Sequence, residues 1–159
     1  MAQTPTGTAL TELTRQVRQL AGLLDAAGDQ LAAPCGQTGT RAAVLACADP
    51  QPQTVAAVAR HLGLTRQSVQ RTADLLVADG LAEYRPNPEH RRAHLLGLTP
   101  AGQRTLTALE ITQEAWANRV SANLNEQELL RAAELLAQLT HRLRAGRGRA
   151  VSRDRAESG

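Results

Sequence analysis

A chain of 159 residues is long enough for one domain with a real core and short for two independent ones. Its 42% hydrophobic content suits a folded globular protein, and no apolar run approaches the roughly 20 residues of a membrane helix. The formal net charge is +3, but residues 144–159 carry all of it (Arg144, Arg147, Arg149, Arg153 and Arg155 against Asp154 and Glu157), so the body is neutral and total charge argues for no partner.

Residues 1–8 are polar and lack the basic start and apolar stretch of a secretion signal, which predicts a cytoplasmic location, and residues 1–7 are expected to be disordered. Leu10, Leu13, Val17, Leu20, Leu24, Ala27 and Leu31 then recur at alternating gaps of three and four. That spacing is the seam of a long helix, over residues 8–33, which needs a partner. Gly28 interrupts it near its end, and Pro34 and Gly36 stop it. A short helix over about residues 41–48 follows, capped by Thr38 or Thr40 and closed by Asp49 and Pro50.

Thr54 is a good N-cap for a helix carrying Val55, Val58, Ala59 and Leu62, and Gly63 supplies a position able to turn with positive φ. A second cap, Thr65, opens a helix running to Asp79, which Gly80 ends in left-handed conformation. The period then changes. Residues 81–85 and 93–98 read as two short strands joined by a Pro-rich, charged turn, a β-hairpin with a basic tip. Thr99 caps a long helix to about Ser121, with Pro100 where a missing N–H costs nothing. The last helix starts at Asn125 with Glu128 as capping pair and runs through Leu129, Ala133, Leu136, Leu139 and Leu143. From Ala145, Gly, Arg and Ser without apolar spacing predict a disordered basic tail, so residues 144–159 are set apart from the domain. This tail either adds sequence-independent DNA affinity or stays solvated.

Three positions suggest how residues 54–80 are used. Two helices crossing closely around a sharp turn need a small residue at the crossing, Gly in the turn and an apolar residue facing inward. Ala59, Gly63 and Val69 meet those demands, and Val69, Thr72, Ala73 and Leu76 form the inward face of the second helix. The opposite face presents Arg66, Gln67, Gln70 and Arg71, with Thr65 and Ser68 in the first turn. Arg can donate two bonds to guanine, Gln can pair with adenine, and Ser or Thr can bind phosphate or a base edge. A polar helix face alone can also be plain solvated surface, but the adjacent hairpin, with Arg91 and Arg92 at its tip, can reach phosphates or the minor groove.

The stretch 54–102 resembles the winged helix-turn-helix of the MarR family (multiple antibiotic resistance regulators). The likeness lies in Leu62-Gly63-Leu64-Thr65-Arg66, Asp79-Gly80-Leu81 and Leu98-Thr99-Pro100-Ala101-Gly102 taken together. Family order extends it to about residues 8–143. The implied fold is mainly α with a small β-hairpin wing: a winged helix-turn-helix lobe over 38–99 plus a helical dimerisation region over 8–33 and 100–143. The order is helix, helix, an accessory strand, helix, helix, strand, wing, strand, helix, helix. The family's Asp-x-Arg wing motif aligns with His90, Arg91 and Arg92. The groove-inserting Arg therefore carries over to Arg92, while His90 replaces the acid, leaving Glu89 as the candidate to steady the wing and His90 as a pH-responsive group or a plain loop histidine.

The resemblance implies a homodimeric transcription regulator of double-stranded DNA, a ligand-responsive repressor on a pseudo-palindromic operator, with no cofactor. The two leucine stripes supply the dimer surface, unless they are the internal core of a monomer. Relatives released by small lipophilic effectors suggest a pocket, and in a chain with no Phe, one Tyr and one Trp, Trp116 is the expected aromatic wall, with ordinary dimer packing as the alternative. Thiol-based redox sensing through Cys35, in an exposed Pro-Cys-Gly connection, is a second regulatory reading, with Cys47 as a small core residue. His61, His90, His94 and His141 show no metal-ligand spacing. No phosphate loop, nucleophile elbow or metalloprotease helix supports an enzyme. A winged module that binds protein instead of DNA is the remaining alternative class, against which the arginines and glutamines argue.

Overall fold

The computed structural model describes residues 4–156, with side chains through residue 146. It divides into a unit ending at Ala115 and a second unit from Trp116 onward.

Helix α1 (Pro5–Ala32) starts earlier than its apolar seam indicates. The Thr4 hydroxyl accepts from the Gly7 N–H at 3.1 Å and Pro5 occupies the first turn, so cap chemistry sets the start and draws residues expected to be disordered into the helix. A 3-10 turn (Ala33–Cys35) and left-handed Gly36 end it, as Pro34 and Gly36 predict. In α2 (Gly39–Cys47), Thr38 is the cap, its hydroxyl accepting from the Arg41 N–H at 3.3 Å. Gly28 does not break α1. A Cβ on Gly39 would lie 3.0 Å from the Gly28 carbonyl carbon, so the two glycines let α1 and α2 touch backbone to backbone, and Asp29 Oδ1 accepts from the Gly39 N–H at 2.7 Å.

After a short strand β1 (Gln53–Thr54) come α3 (Val55–Leu62), α4 (Arg66–Ala78), β2 (Ala82–Arg85), β3 (Leu95–Leu98) and α5 (Pro100–Ser121). The three strands form one antiparallel sheet in the order β1-β3-β2, with Leu95 opposite both Thr54 and Arg85. Val44 and Leu45 from α2, Val58 from α3, Val69 and Leu76 from α4 and Leu96 from β3 are fully buried, joined by Ala32, Leu106 and Leu109. On α4 the buried set Val69, Thr72, Ala73 and Leu76 follows helical spacing. The Thr72 hydroxyl donates to the Ser68 carbonyl at 3.1 Å, so its burial leaves no polar group unpaired. Arg41 pairs with Asp79, tying α2 to the end of α4.

The junction between β3 and α5 is tightly determined. Thr99 donates its backbone N–H to the Leu81 carbonyl (3.1 Å) and its hydroxyl to the Gly80 carbonyl (2.7 Å), and that hydroxyl accepts from the Gly102 N–H (3.0 Å). Gly102 lies so close to Leu81 that a Cβ would sit 1.9 Å from the Leu81 oxygen.

In the second unit, Asn125 caps α6 (Glu126–Ala156), its Oδ1 accepting from the Glu128 N–H at 3.2 Å as the sequence predicts. The backbone of α6 stays helical past Ala145, where an unstructured tail is expected, because no Pro intervenes to stop the ladder. The side chains of Arg147, Arg149, Arg153 and Arg155 lie outside the described residues. Among the described residues, no helix is long and apolar enough to cross a membrane.

Candidate nucleic-acid interface

The geometry of the site begins with the turn between α3 and α4. Gly63 takes φ 70°, a left-handed conformation that strains any residue with a Cβ, and the Leu64 N–H then reaches back to the Ala59 carbonyl at 3.0 Å. Thr65 restarts the helix at once, its hydroxyl accepting from the Ser68 N–H at 3.1 Å. With Val69 and Ala73 pointing into the core, Thr65, Arg66, Gln67, Ser68 and Arg71 are exposed and Gln70 is half-buried. Arg66, Gln67, Gln70 and Arg71 share one open trough along α4 with Asp74 and Leu75.

The hairpin loop between β2 and β3 is ordered by two bonds. Asn87 Oδ1 accepts from the Glu89 N–H at 3.0 Å, and the His90 carbonyl accepts from the Ala93 N–H at 3.0 Å. Arg91 and Arg92 therefore occupy the two central positions of a tight turn, both exposed. Asn87, rather than the expected Glu89 carboxylate, supplies the side-chain tether, because an Asx turn needs a short acceptor two residues upstream of the N–H it captures. His90 is an exposed loop residue whose carbonyl closes the turn. A cleft of about 170 Å³ between helix and wing is lined by Thr54, Arg66, Gln70, Tyr84, Arg92 and His94, among others. Arginines from the two elements, Arg66 and Arg92, thus face one space.

Two residues that sequence reasoning did not single out complete this surface. Tyr84 donates its hydroxyl to Asp74 Oδ1 at 2.7 Å, and Gln70 Nε2 lies 2.9 Å from that same Oδ1 and 2.8 Å from the tyrosine oxygen. Partial burial, and then the adjacent Asp74 charge, push the Tyr84 hydroxyl up to about 12. The neutral phenol is the form the folded state favours, so its contribution to stability is complete below pH 10 and is lost as pH rises toward 12. Since Tyr84 is the single tyrosine, phenolate absorbance reads it alone. We expect titration near pH 12 in the native protein and at a lower pH in Asp74→Ala, where burial still raises the hydroxyl but the carboxylate no longer does; equal transitions in the two proteins would show that the contact does not persist in solution.

Away from this face, an apolar cavity of about 270 Å³ lies between α1, α2 and α5. Leu31, Ala42, Ala46, Leu106 and Leu109 line it, with Glu110 and Gln113 as polar groups. Trp116, the expected aromatic wall, is not in that lining; it is half-buried on α5 in the second unit. Cys35 is half-buried and packs against the core rather than standing exposed in its turn, and the Cys47 thiol is raised by burial. No cluster of His, Cys, Asp or Glu able to hold a metal ion is present among the described residues.

Residues 38–93, spanning α2 through the wing, match the sequence profile of the MarR family. An uncharacterized protein of Mycobacterium tuberculosis, Rv2011c, is 38% identical over 138 residues, 87% of this chain and 96% of that protein. The chain belongs to the MarR family. The crystal structure of the MarR family transcription regulator SP03579 superimposes with a TM-score of 0.71 at 27% identity, over 86% of this chain and 91% of that one. The transcriptional repressor CouR bound to a 23-mer DNA duplex gives 0.72 at 22%, over 87% and 99%. CouR from Rhodococcus jostii RHA1 bound to p-coumaroyl-CoA gives 0.73 at 20%, over 80% and 90%. As a MarR-family protein the chain is a DNA-binding transcription regulator, not an enzyme.

Proposed function

We propose that the chain acts as a homodimeric repressor, setting α4 of each protomer into the major groove of a pseudo-palindromic operator with the wing against the neighbouring strand. The observation that carries this reading is the row Arg66, Gln67, Gln70 and Arg71 along one open trough of α4, of which Arg66 and half-buried Gln70 also line the cleft that Arg92 of the wing enters. Arg66, Gln67, Gln70 and Arg71 reach base edges, while Thr65, Ser68 and the first turn of α4 take a phosphate. Arg91 and Arg92 grip the backbone or enter the minor groove, with His90 beside them. Titrating labelled genomic fragments at several salt concentrations tests it. Selective binding with a steep salt slope is expected, and equal weak affinity for all fragments would refute it.

Dimerisation is supported by apolar surface that a monomer leaves wet. Leu10, Leu20, Leu23 and Leu24 on α1, and Leu129, Leu130, Leu135, Leu136 and Leu143 on α6, are all exposed. Apolar faces of that length on each helix are costly in water unless other surfaces cover them. Light scattering at micromolar concentration should therefore give twice the mass of one chain, and Leu136→Asp should shift it toward one. A wild type that scatters as a single chain refutes the dimer.

The cavity between α1, α2 and α5, lined almost wholly by apolar side chains, is the site we assign to a small lipophilic effector. At about 270 Å³ it falls just below the usual range for ligand pockets and suits only a small molecule. Redox sensing at Cys35 is not favoured, since the residue packs on the core as an ordinary small apolar side chain does.

A further inference from the structure

Asp74 sets a carboxylate on the same outer face of α4 as Arg66 and Arg71. Facing a polyanion, an idle carboxylate lowers affinity. Asp74 is not idle: Oδ1 accepts from the Tyr84 hydroxyl at 2.7 Å and from Gln70 Nε2 at 2.9 Å.

We propose that Asp74 and Tyr84 are positioning residues that lock the Gln70 carboxamide in one orientation, making Gln70 a reader of adenine in the major groove. The proposal rests on the placement of α4 in that groove. An ionised carboxylate only accepts, so the amide nitrogen, not its oxygen, must face Asp74. The single Tyr84 proton is committed to Asp74, so the tyrosine oxygen also meets Gln70 as an acceptor. These two acceptors are only 2.7 Å apart, close enough for a single N–H aimed between them to be shared as a three-centre bond. One N–H serves both, which leaves one N–H and Oε1 for DNA. Adenine offers the complement, an N7 acceptor beside an N6 amino donor, whereas guanine offers two acceptors and sets O6 against Oε1. With the amide nitrogen tied back, Gln70 cannot turn both of its hydrogens toward guanine. The half-buried position of Gln70, lining both the trough on α4 and the cleft beside the wing, puts it where the base edge passes.

The test is selection from a randomised duplex pool by intact wild type, Gln70→Ala, Tyr84→Phe and Asp74→Ala, with thermal melting as a fold control. Wild type should prefer adenine over guanine at one position of each half-site by about tenfold or more. Gln70→Ala should lose that preference. Tyr84→Phe, which deletes a single oxygen, and Asp74→Ala should relax the same position toward guanine while leaving the others unchanged. If Gln70→Ala alters the position but the other two variants do not, Gln70 reads without being positioned and the proposal falls. It falls equally if Gln70→Ala alters no position, and in both cases placement in the groove survives. A wild type that selects no sequence refutes that placement and this proposal with it.

Discussion

Replacing Gly102 by alanine is expected to destabilise the DNA-binding unit strongly, because among the described glycines a Cβ there meets the closest contact. The new Cβ would stand 1.9 Å from the Leu81 oxygen and 2.9 Å from its carbonyl carbon, where ordinary contact begins near 3.4 Å. Neither side can yield cheaply. Leu81 is held at both ends, its N–H on the Leu76 carbonyl at 2.9 Å and its oxygen on the Thr99 N–H at 3.1 Å, while Gly102 is held by the Thr99 hydroxyl. Overpacking usually costs about 1–3 kcal/mol, and a backbone-on-backbone clash belongs at or above the top of that range. For a domain of this size the melting temperature should fall by roughly 10 °C or more. Gly22→Ala is the control, because a Cβ there meets nothing within 4 Å and the helix gains propensity. Equal melting temperatures for the two variants would mean that α5 does not approach Leu81 as described.

The second large effect concerns DNA. Arg71→Ala removes an exposed guanidinium from the outer face of α4, and Arg92→Ala removes one from the wing apex. Loss of a base-reading arginine costs about 1–3 kcal/mol, and in a dimer it is lost twice, so Arg71→Ala should weaken operator binding at least about thirtyfold while leaving non-selective binding nearly intact. Arg92→Ala should instead weaken all duplexes and flatten the salt dependence by about one counterion per protomer. Both positions are solvent-exposed, so melting should change little. Competition titrations at two salt concentrations separate the outcomes, and interchangeable behaviour of the two variants would contradict the division of labour between helix and wing.

What the sequence disclosed was chiefly local chemistry. Thr54, Thr65, Thr99 and Asn125 each cap the helix they were expected to open, and Gly63 and Gly80 take the left-handed conformation expected of them. Those signals lie within a few residues of the structure they cause. The start of α1 went unread because the cap at Thr4 precedes the first apolar residue of the seam. Gly28 reads as an interruption until Gly39 is seen against it, and nothing in one helix reveals what crosses it. The Asp74, Tyr84 and Gln70 contact was equally illegible, since it joins a helix to a strand through atoms whose approach depends on how β2 packs against α4. Asp74 spaced four residues from Gln70 was the one visible hint. The wing arginines were legible from turn chemistry, whereas the tether was not, because Glu89 lay nearer the wing tip and Asn87 took the role on geometry.

The most direct measurement is guanine N7 methylation protection on a selected operator fragment. With α4 in the groove, two protected patches about one helical turn apart are predicted, both lost in Arg71→Ala. Tight, selective binding that leaves every guanine N7 open to methylation would place α4 outside the major groove and contradict the reading of this surface.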